Sequence, residues 1–176
     1  MKSIMKTWFA LALLLCAGAV FAADGNRRAP GFSLIDSKGT EHDLADYRGR
    51  VVMLVFLQTS CPHCGAVADA VQGVQEKYGS RIAVVAVVNP PDDLPKVTDF
   101  IAKHHLHFPV LFDSGQMAYS YILGTNMVFP HVYLIDAGGI IRRDVLYGAA
   151  PPETFTVEGL SAEINHVLPA GAPEKK

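Results

Sequence analysis

Two uninterrupted apolar stretches are the strongest pattern along the chain. Residues 51–57 (VVMLVFL) have no polar position, and residues 81–88 (RIAVVAVV) have a polar residue only at their start. A strand with one face in water would alternate apolar and polar residues. Both stretches are therefore predicted to be central strands of a sheet that is covered on both faces.

Hairpin and helix patterns surround these two strands. A hairpin is predicted within residues 32–39, and a second one joins 131–135 to 140–146 across the turn sequence DAGG. Helical spacing of apolar residues predicts helices over 62–78, 94–105, 114–123 and within 151–168, with a brief extended piece at 109–112. Strands that alternate with helices in this way indicate the α/β class, with a mixed sheet between helical layers.

The N-terminal residues differ in character from the rest of the chain. Two lysines precede an uncharged stretch from Trp8 to Ala23, whose 16 residues fall short of the about 20 that a helix needs to span a bilayer. Small or aliphatic residues at Val20 and Ala22 suit cleavage after Ala22, so residues 1–22 are predicted to be a secretory signal peptide. An uncleaved N-terminal anchor and a lipid anchor on Cys16 are the alternatives.

The remaining residues divide into a short linker, one domain and a tail. Residues 23–28 are polar and are predicted to be a linker, residues 29–168 form the domain, and residues 169–176 (PAGAPEKK, with Leu168 before them) are predicted to be a flexible tail. A formal net charge of −2 over 176 residues provides no basic excess to neutralise phosphates, so a nucleic acid partner is not expected.

The cysteines carry the chemistry. Three are present, and removal of the signal peptide would leave only Cys61 and Cys64, in the sequence Cys-Pro-His-Cys between a predicted buried strand and a predicted helix. A helix N-terminus favours a thiolate, which predicts a lowered pKa for Cys61 relative to the free value of about 8.5. Pro62 fixes the backbone, and a protonated His63 would add positive charge beside the sulfur.

Two structural interpretations of the cysteine pair are weaker. An inert disulfide between residues three apart would close a very small loop and would gain little stability from it. A zinc site would need a second pair of ligands at the usual spacing, which the sequence lacks. Neither a metal nor a cofactor is therefore expected at this site.

Three segments resemble the thioredoxin-like fold, in its AhpC/TSA and TlpA-like exported branch. They are residues 29–34 (APGFSL) with the following YRGR, residues 51–64, and residues 129–136 (FPHVYLID), and together they frame residues 29–168. The resemblance implies a three-layer α/β/α domain with a central mixed sheet. It also implies that Pro130 follows a cis peptide bond, and that the backbone of Phe129 pairs with an incoming substrate strand.

The chain departs from the family pattern at positions that matter. Val55 and Val67 stand where thioredoxin and TlpA-like proteins carry carboxylates, and those carboxylates serve proton transfer to the buried thiol. Ser60 replaces the usual Trp before the first cysteine. His131, directly after Pro130, is a candidate supporting group near the sulfurs, although strand alternation could turn it away.

These observations predict a thiol–disulfide oxidoreductase of the periplasm or cell envelope that acts as a monomer. Its expected partners are protein thiols or disulfides and a membrane or periplasmic redox protein, and membrane contact is expected only through an uncleaved N-terminus. Reductase and oxidase directions both remain open. The alternatives are a peroxidase of the AhpC/TSA type, and a copper-binding module like the Sco proteins that would use both cysteines and His131.

Overall fold

The computed structural model describes residues 26–123 and 127–168. Six strands form the main sheet: β1 (Arg27–Arg28), β4 (Val51–Leu57), β5 (Ile82–Val88), β6 (Val110–Phe112), β7 (His131–Ile135) and β8 (Ile140–Leu146). Their order across the sheet is β1-β8-β7-β4-β5-β6, with β4, β5 and β6 parallel and the other pairings antiparallel. A separate antiparallel hairpin joins β2 (Ser33–Ile35) to β3 (Glu41–Asp43).

Within the described residues, four α-helices accompany the sheet. They are α1 (Cys64–Tyr78), α2 (Leu94–Lys103), α3 (Gln116–Tyr121) and α4 (Val157–Asn165), with short 3-10 turns at Leu44–Tyr47, Gly79–Arg81 and Pro152–Phe155. Within residues 26–123 and 127–168, none of the helices combines the length and apolar character needed to cross a bilayer.

Alternate residues of β4 enter two different cores. Met53 and Val55 pack with residues of α1, α2 and α4 on one face, whereas Leu54 and Phe56 pack with α3 and the N-terminal segment on the other. All seven side chains of β4 and all seven of β5 are buried, because both strands lie inside the sheet and have a layer on each side. The predicted α/β class, with a central mixed sheet covered on both faces, is confirmed.

The predicted linker over 23–28 is wrong at its end, because Arg27 and Arg28 form strand β1 against Ile141 and Ile140 of β8. Polar side chains suggested a linker, but β8 would otherwise be an unpaired edge whose backbone groups need partners. The guanidinium of Arg27 lies over the ring of Tyr133 and also donates to the carbonyl of Tyr121, which anchors the strand.

The predicted helix over 94–105 ends two residues earlier than expected. His105 adopts a left-handed conformation with φ of 49°. The N–H of Leu106 donates to the carbonyl of Ile101, and the N–H of His105 to that of Ala102, which closes the helix end. Glycine is the usual residue at this position, so a histidine there gave no stop signal. Similarly, α3 is shorter than the predicted 114–123 and begins after Gly115, whose φ is 104°.

The last predicted helix is divided in two. A 3-10 turn over Pro152–Phe155 precedes α4, and Thr156 separates them in an extended conformation. The Thr156 hydroxyl accepts from the N–H of Gly159 at 3.1 Å and donates to the carbonyl of Glu153 at 2.8 Å. Thr156 is thus the N-cap of α4. The signal peptide predicted for residues 1–22 and the tail predicted for 169–176 lie outside the described residues.

Replacement of the cap tests this account of α4. Thr156→Ala is expected to lower the free energy of unfolding by about 1 kcal/mol, because the first turn of α4 loses its side-chain acceptor. Chemical denaturation measures the change. Thr98→Ala is the control and is expected to cause no such loss of stability. The Thr98 hydroxyl only donates to the Leu94 carbonyl within α2, and alanine favours a helix interior. Equal stability of the Thr156 variant and the wild type would contradict the assignment.

Candidate active site

The two cysteines lie where the central strand β4 passes into α1. The N–H of Cys61 donates to the carbonyl of Gln58, and the N–H of Cys64 donates to that of Cys61, both at 3.2 Å. The carbonyl of His63 accepts from Val67, which makes His63 the N-cap residue. The helix therefore begins at Cys64 rather than at Pro62 as predicted, because residues 61–64 first close a turn.

The two sulfurs have different surroundings. Cys64 is completely buried in the core that α1 shares with the sheet, whereas Cys61 is partly exposed, and both are free thiols. The Cys61 thiol donates to the carbonyl oxygen of Phe129 at 3.6 Å. The N–H of Gln58 donates to the sulfur of Cys64 at 3.5 Å. The sulfur of Cys61 is thus accessible from solvent, whereas the sulfur of Cys64 lies behind it in the core.

The protonation of Cys64 follows from this burial. Burial raises the pKa of the Cys64 thiol far above its usual range, and the hydrogen bond and charge of Cys61 raise it further. The negative charge of Asp92 acts in the same direction, and the N–H of Gln58 opposes it only in part. Cys64 therefore stays a neutral thiol near neutral pH.

The segment opposite the cysteines contains Phe129 and Pro130. Their peptide bond is cis, as the family resemblance implies. Pro130 is buried, Phe129 is half-buried and contacts both cores, and the Phe129 carbonyl faces the sulfur of Cys61. The carbonyl of Pro130 accepts from the N–H of Tyr147, which follows β8. Phe129 and Pro130 are thus held against the active-site turn.

Pro62 and His63, the two residues between the cysteines, are both exposed. The imidazole of His63 stacks on the ring of Tyr147, with centroids 4.6 Å apart and planes 21° from parallel. The sequence did not indicate Tyr147 as a site residue, because it lies 84 positions from His63 along the chain. No spacing rule connects the end of β8 to the turn over residues 61–64.

His131 is the one predicted site residue whose described contacts lie elsewhere. Its Nε2 bonds to Asp144 Oδ1 at 2.5 Å, and its ring stacks on Tyr133 at 4.4 Å. Tyr133 belongs to the core on the α3 face, whereas Cys64 belongs to the core on the α1 face. Strand alternation turns the imidazole of His131 away from the buried sulfur.

Asp92 is a residue beside the active-site turn that the sequence did not indicate. It precedes Asp93, which caps α2 by accepting from the N–H of Lys96. Asp92 instead accepts from the N–H of Thr59 at 2.8 Å and from its hydroxyl at 2.5 Å. Because a helix has only one N-cap position, two adjacent acids before a helix indicate that one of them has another role.

A histidine also packs against the first turn of α1. Gly65 follows Cys64, and a Cβ at this position would lie 2.7 Å from Cε1 of His104. The His104 Nδ1 is 2.7 Å from Asp69 Oδ1, and its ring contacts Phe100 of α2. Gly65 therefore lets the end of α2 approach the start of α1 closely.

The chain is similar to a thioredoxin-like protein and to a protein named a thiol-disulfide oxidoreductase. This chain is 31% identical to the thioredoxin-like protein YneN of Bacillus subtilis over 118 aligned residues. The alignment covers 66% of this chain and 68% of YneN. The chain is 28% identical to the thiol-disulfide oxidoreductase ResA of Geobacillus kaustophilus, over 96% of this chain and 97% of ResA. The predicted enzyme class, a thiol–disulfide oxidoreductase, is confirmed.

A solved structure and a family model also match this chain. The fold matches a putative thiol:disulfide interchange protein DsbE of Chlorobium tepidum with a TM-score of 0.72, 28% identity, and coverage of 83% of this chain and 99% of that one. The thioredoxin-like fold is thereby confirmed. The model of the AhpC/TSA family matches residues 26–144. The chain belongs to the AhpC/TSA family and has its thioredoxin-like, TlpA-like architecture.

Proposed function

We propose that the chain is an exported enzyme that exchanges disulfides with protein substrates, in which Cys61 attacks and Cys64 resolves. The observation that carries this proposal is the asymmetry of the pair. Cys61 is accessible and lies beside the Phe129 carbonyl, while Cys64 is fully buried with a raised pKa. The thiolate is the nucleophile in disulfide exchange, so the accessible sulfur reacts first.

The reaction proceeds in two balanced steps. The Cys61 thiolate attacks one sulfur of a substrate disulfide, the substrate S–S bond breaks, and its other sulfur leaves as a thiolate. Cys64 then gives its proton to the substrate thiolate released in the first step, and its sulfur attacks that of Cys61. The mixed disulfide breaks, and the second substrate thiolate leaves. Two electrons pass from the cysteine pair to the substrate, and the reverse sequence oxidises a dithiol substrate.

The segment at Phe129 and Pro130 supplies the binding surface in this proposal. The backbone of Phe129 lies against Cys61, so a substrate strand paired with that backbone would bring its own sulfur to Cys61. Main-chain pairing of this kind accepts many sequences, which suits an enzyme whose substrates are proteins. Export rests on the signal peptide predicted for residues 1–22.

The peroxidase and copper alternatives have less support. The resemblance to AhpC/TSA peroxidases implies a Thr three residues before the reactive cysteine, and this chain has Gln58 there. The hydroxyl of the neighbouring Thr59 donates to Asp92. The Nε2 of His131 is engaged by Asp144. Across the part of the chain that the structure describes, no three His, Cys, Asp or Glu side chains are grouped so that they could hold a metal ion.

Trapping of the covalent intermediate tests the proposed roles. Cys64→Ala is expected to accumulate a mixed disulfide between Cys61 and a disulfide-containing protein, because the resolving sulfur is absent. Non-reducing electrophoresis and peptide mass analysis locate the linkage. Cys61→Ser is expected to abolish turnover.

The double variant Cys61→Ser/Cys64→Ala is the matched control, because it retains Cys16 and so reports any capture by that residue. Full turnover by Cys61→Ser, or a linkage that persists in the double variant, would contradict the proposal.

The different surroundings of the two thiols predict selective alkylation. When the reduced chain meets iodoacetamide at pH 8, Cys61 is expected to react while Cys64 stays unmodified, since burial and its raised pKa keep Cys64 protonated. Peptide mass spectrometry distinguishes the two positions. Unfolding in guanidinium should expose both. Equal rates in the folded chain would show that Cys64 is not the protected sulfur.

A further inference from the structure

Tyr147 contacts two parts of the active site and the 3-10 turn before α4. Its ring stacks on His63 with centroids 4.6 Å apart, and the same ring contacts that of Phe155 at 5.1 Å. Its backbone N–H donates to the carbonyl of Pro130 at 3.3 Å. The aromatic ring therefore supports the turn between the cysteines, while the backbone supports the segment opposite.

The stacking is the contact that orients the imidazole of His63. His63 is exposed, and it forms no side-chain hydrogen bond to cap α1. An exposed imidazole without such a partner would change rotamer freely. The half-buried ring of Tyr147 instead offers one flat surface on which His63 lies nearly parallel.

The orientation of His63 matters for the redox balance of the pair. His63 lies two residues after Cys61 in the same turn. Positive charge on its imidazole would favour a thiolate on Cys61, and a stabilised reduced form makes the pair more oxidising. A cation over the face of a tyrosine ring is also favoured by the ring's quadrupole. Both effects require the imidazole to remain in one place.

We propose that Tyr147 is a positioning residue that raises the reduction potential of the Cys61–Cys64 pair by holding the imidazole of His63 in place. The proposal rests on the proposed function, since it concerns the potential of the pair that performs disulfide exchange. It assigns part of the control of that potential to a residue outside the Cys-Pro-His-Cys sequence.

Reduction potentials test this role. The full-length chain and its variants are equilibrated in glutathione buffers, and the reduced fraction of the peptide that contains Cys61 and Cys64 is measured. Tyr147→Leu is expected to shift the equilibrium about threefold toward the disulfide, or about 14 mV at 29.6 mV per tenfold change. Tyr147→Phe keeps the ring and is expected to match the wild type.

Two further variants separate positioning from a merely structural role. In a His63→Ala background, Tyr147→Leu is expected to cause no additional shift, because the group it positions is gone. Phe155→Leu disturbs the other side of the Tyr147 ring but leaves the stacking partner of His63 in place. It is expected to lower the unfolding midpoint while the potential stays within about twofold of the wild-type equilibrium.

Proton NMR gives an independent readout of the stack. The His63 ring protons should be shifted upfield by the Tyr147 ring current in the wild type and in Tyr147→Phe, and that shift should disappear in Tyr147→Leu. An unchanged potential in Tyr147→Leu would overturn the proposal, as would an equal shift in the His63→Ala background. A wild-type pair that fails to exchange with any disulfide would overturn the proposed function instead.

Discussion

Burial of Cys64 is the constraint on which the active site depends. Its sulfur lies in the core between α1 and the sheet, together with Val55, Val67 and Val71, so a negative charge there would lack water and nearby donors beyond one backbone N–H. The resulting rise in the pKa of Cys64 keeps that thiol neutral near neutral pH, and for this reason the proposed nucleophile is Cys61. β4 is buried on both faces and ends at Leu57. The turn that follows it therefore places Cys61 at the surface and Cys64 in the interior.

Much of this arrangement could be predicted from local patterns. The two continuous apolar stretches identified β4 and β5 within one residue, since burial on both faces leaves a distinct signature. The turn sequence DAGG located the hairpin between β7 and β8. Turns depend on interactions between neighbouring residues, and buried strands depend on apolar side chains. Both can therefore be recognised from the local sequence.

The features that escaped prediction arise from contacts between distant segments. Arg27 and Arg28 are polar, and only the free edge of β8 makes them a strand. The break at Thr156 depends on one hydroxyl that both accepts and donates. Asp92 and Tyr147 reach the site from loops that follow β5 and β8, so tertiary structure alone brings them to residues 58–64. Their residue types are also common at ordinary surface positions.

The apolar neighbours of Cys64 change where redox control resides. Val55 and Val67 contribute apolar side chains to the core that contains Cys64. Asp92, in the loop that follows β5, acts on the buried thiol through its charge. A thiol that stays protonated contributes little to the balance between disulfide and dithiol near neutral pH. Under the proposed mechanism, that balance depends on the groups around Cys61: the exposed dipeptide of Pro62 and His63, the Phe129 carbonyl, and the Tyr147 ring that stacks on the imidazole. A family fold built around a buried sulfur can therefore be tuned from its surface, without alteration of the core that keeps Cys64 in place.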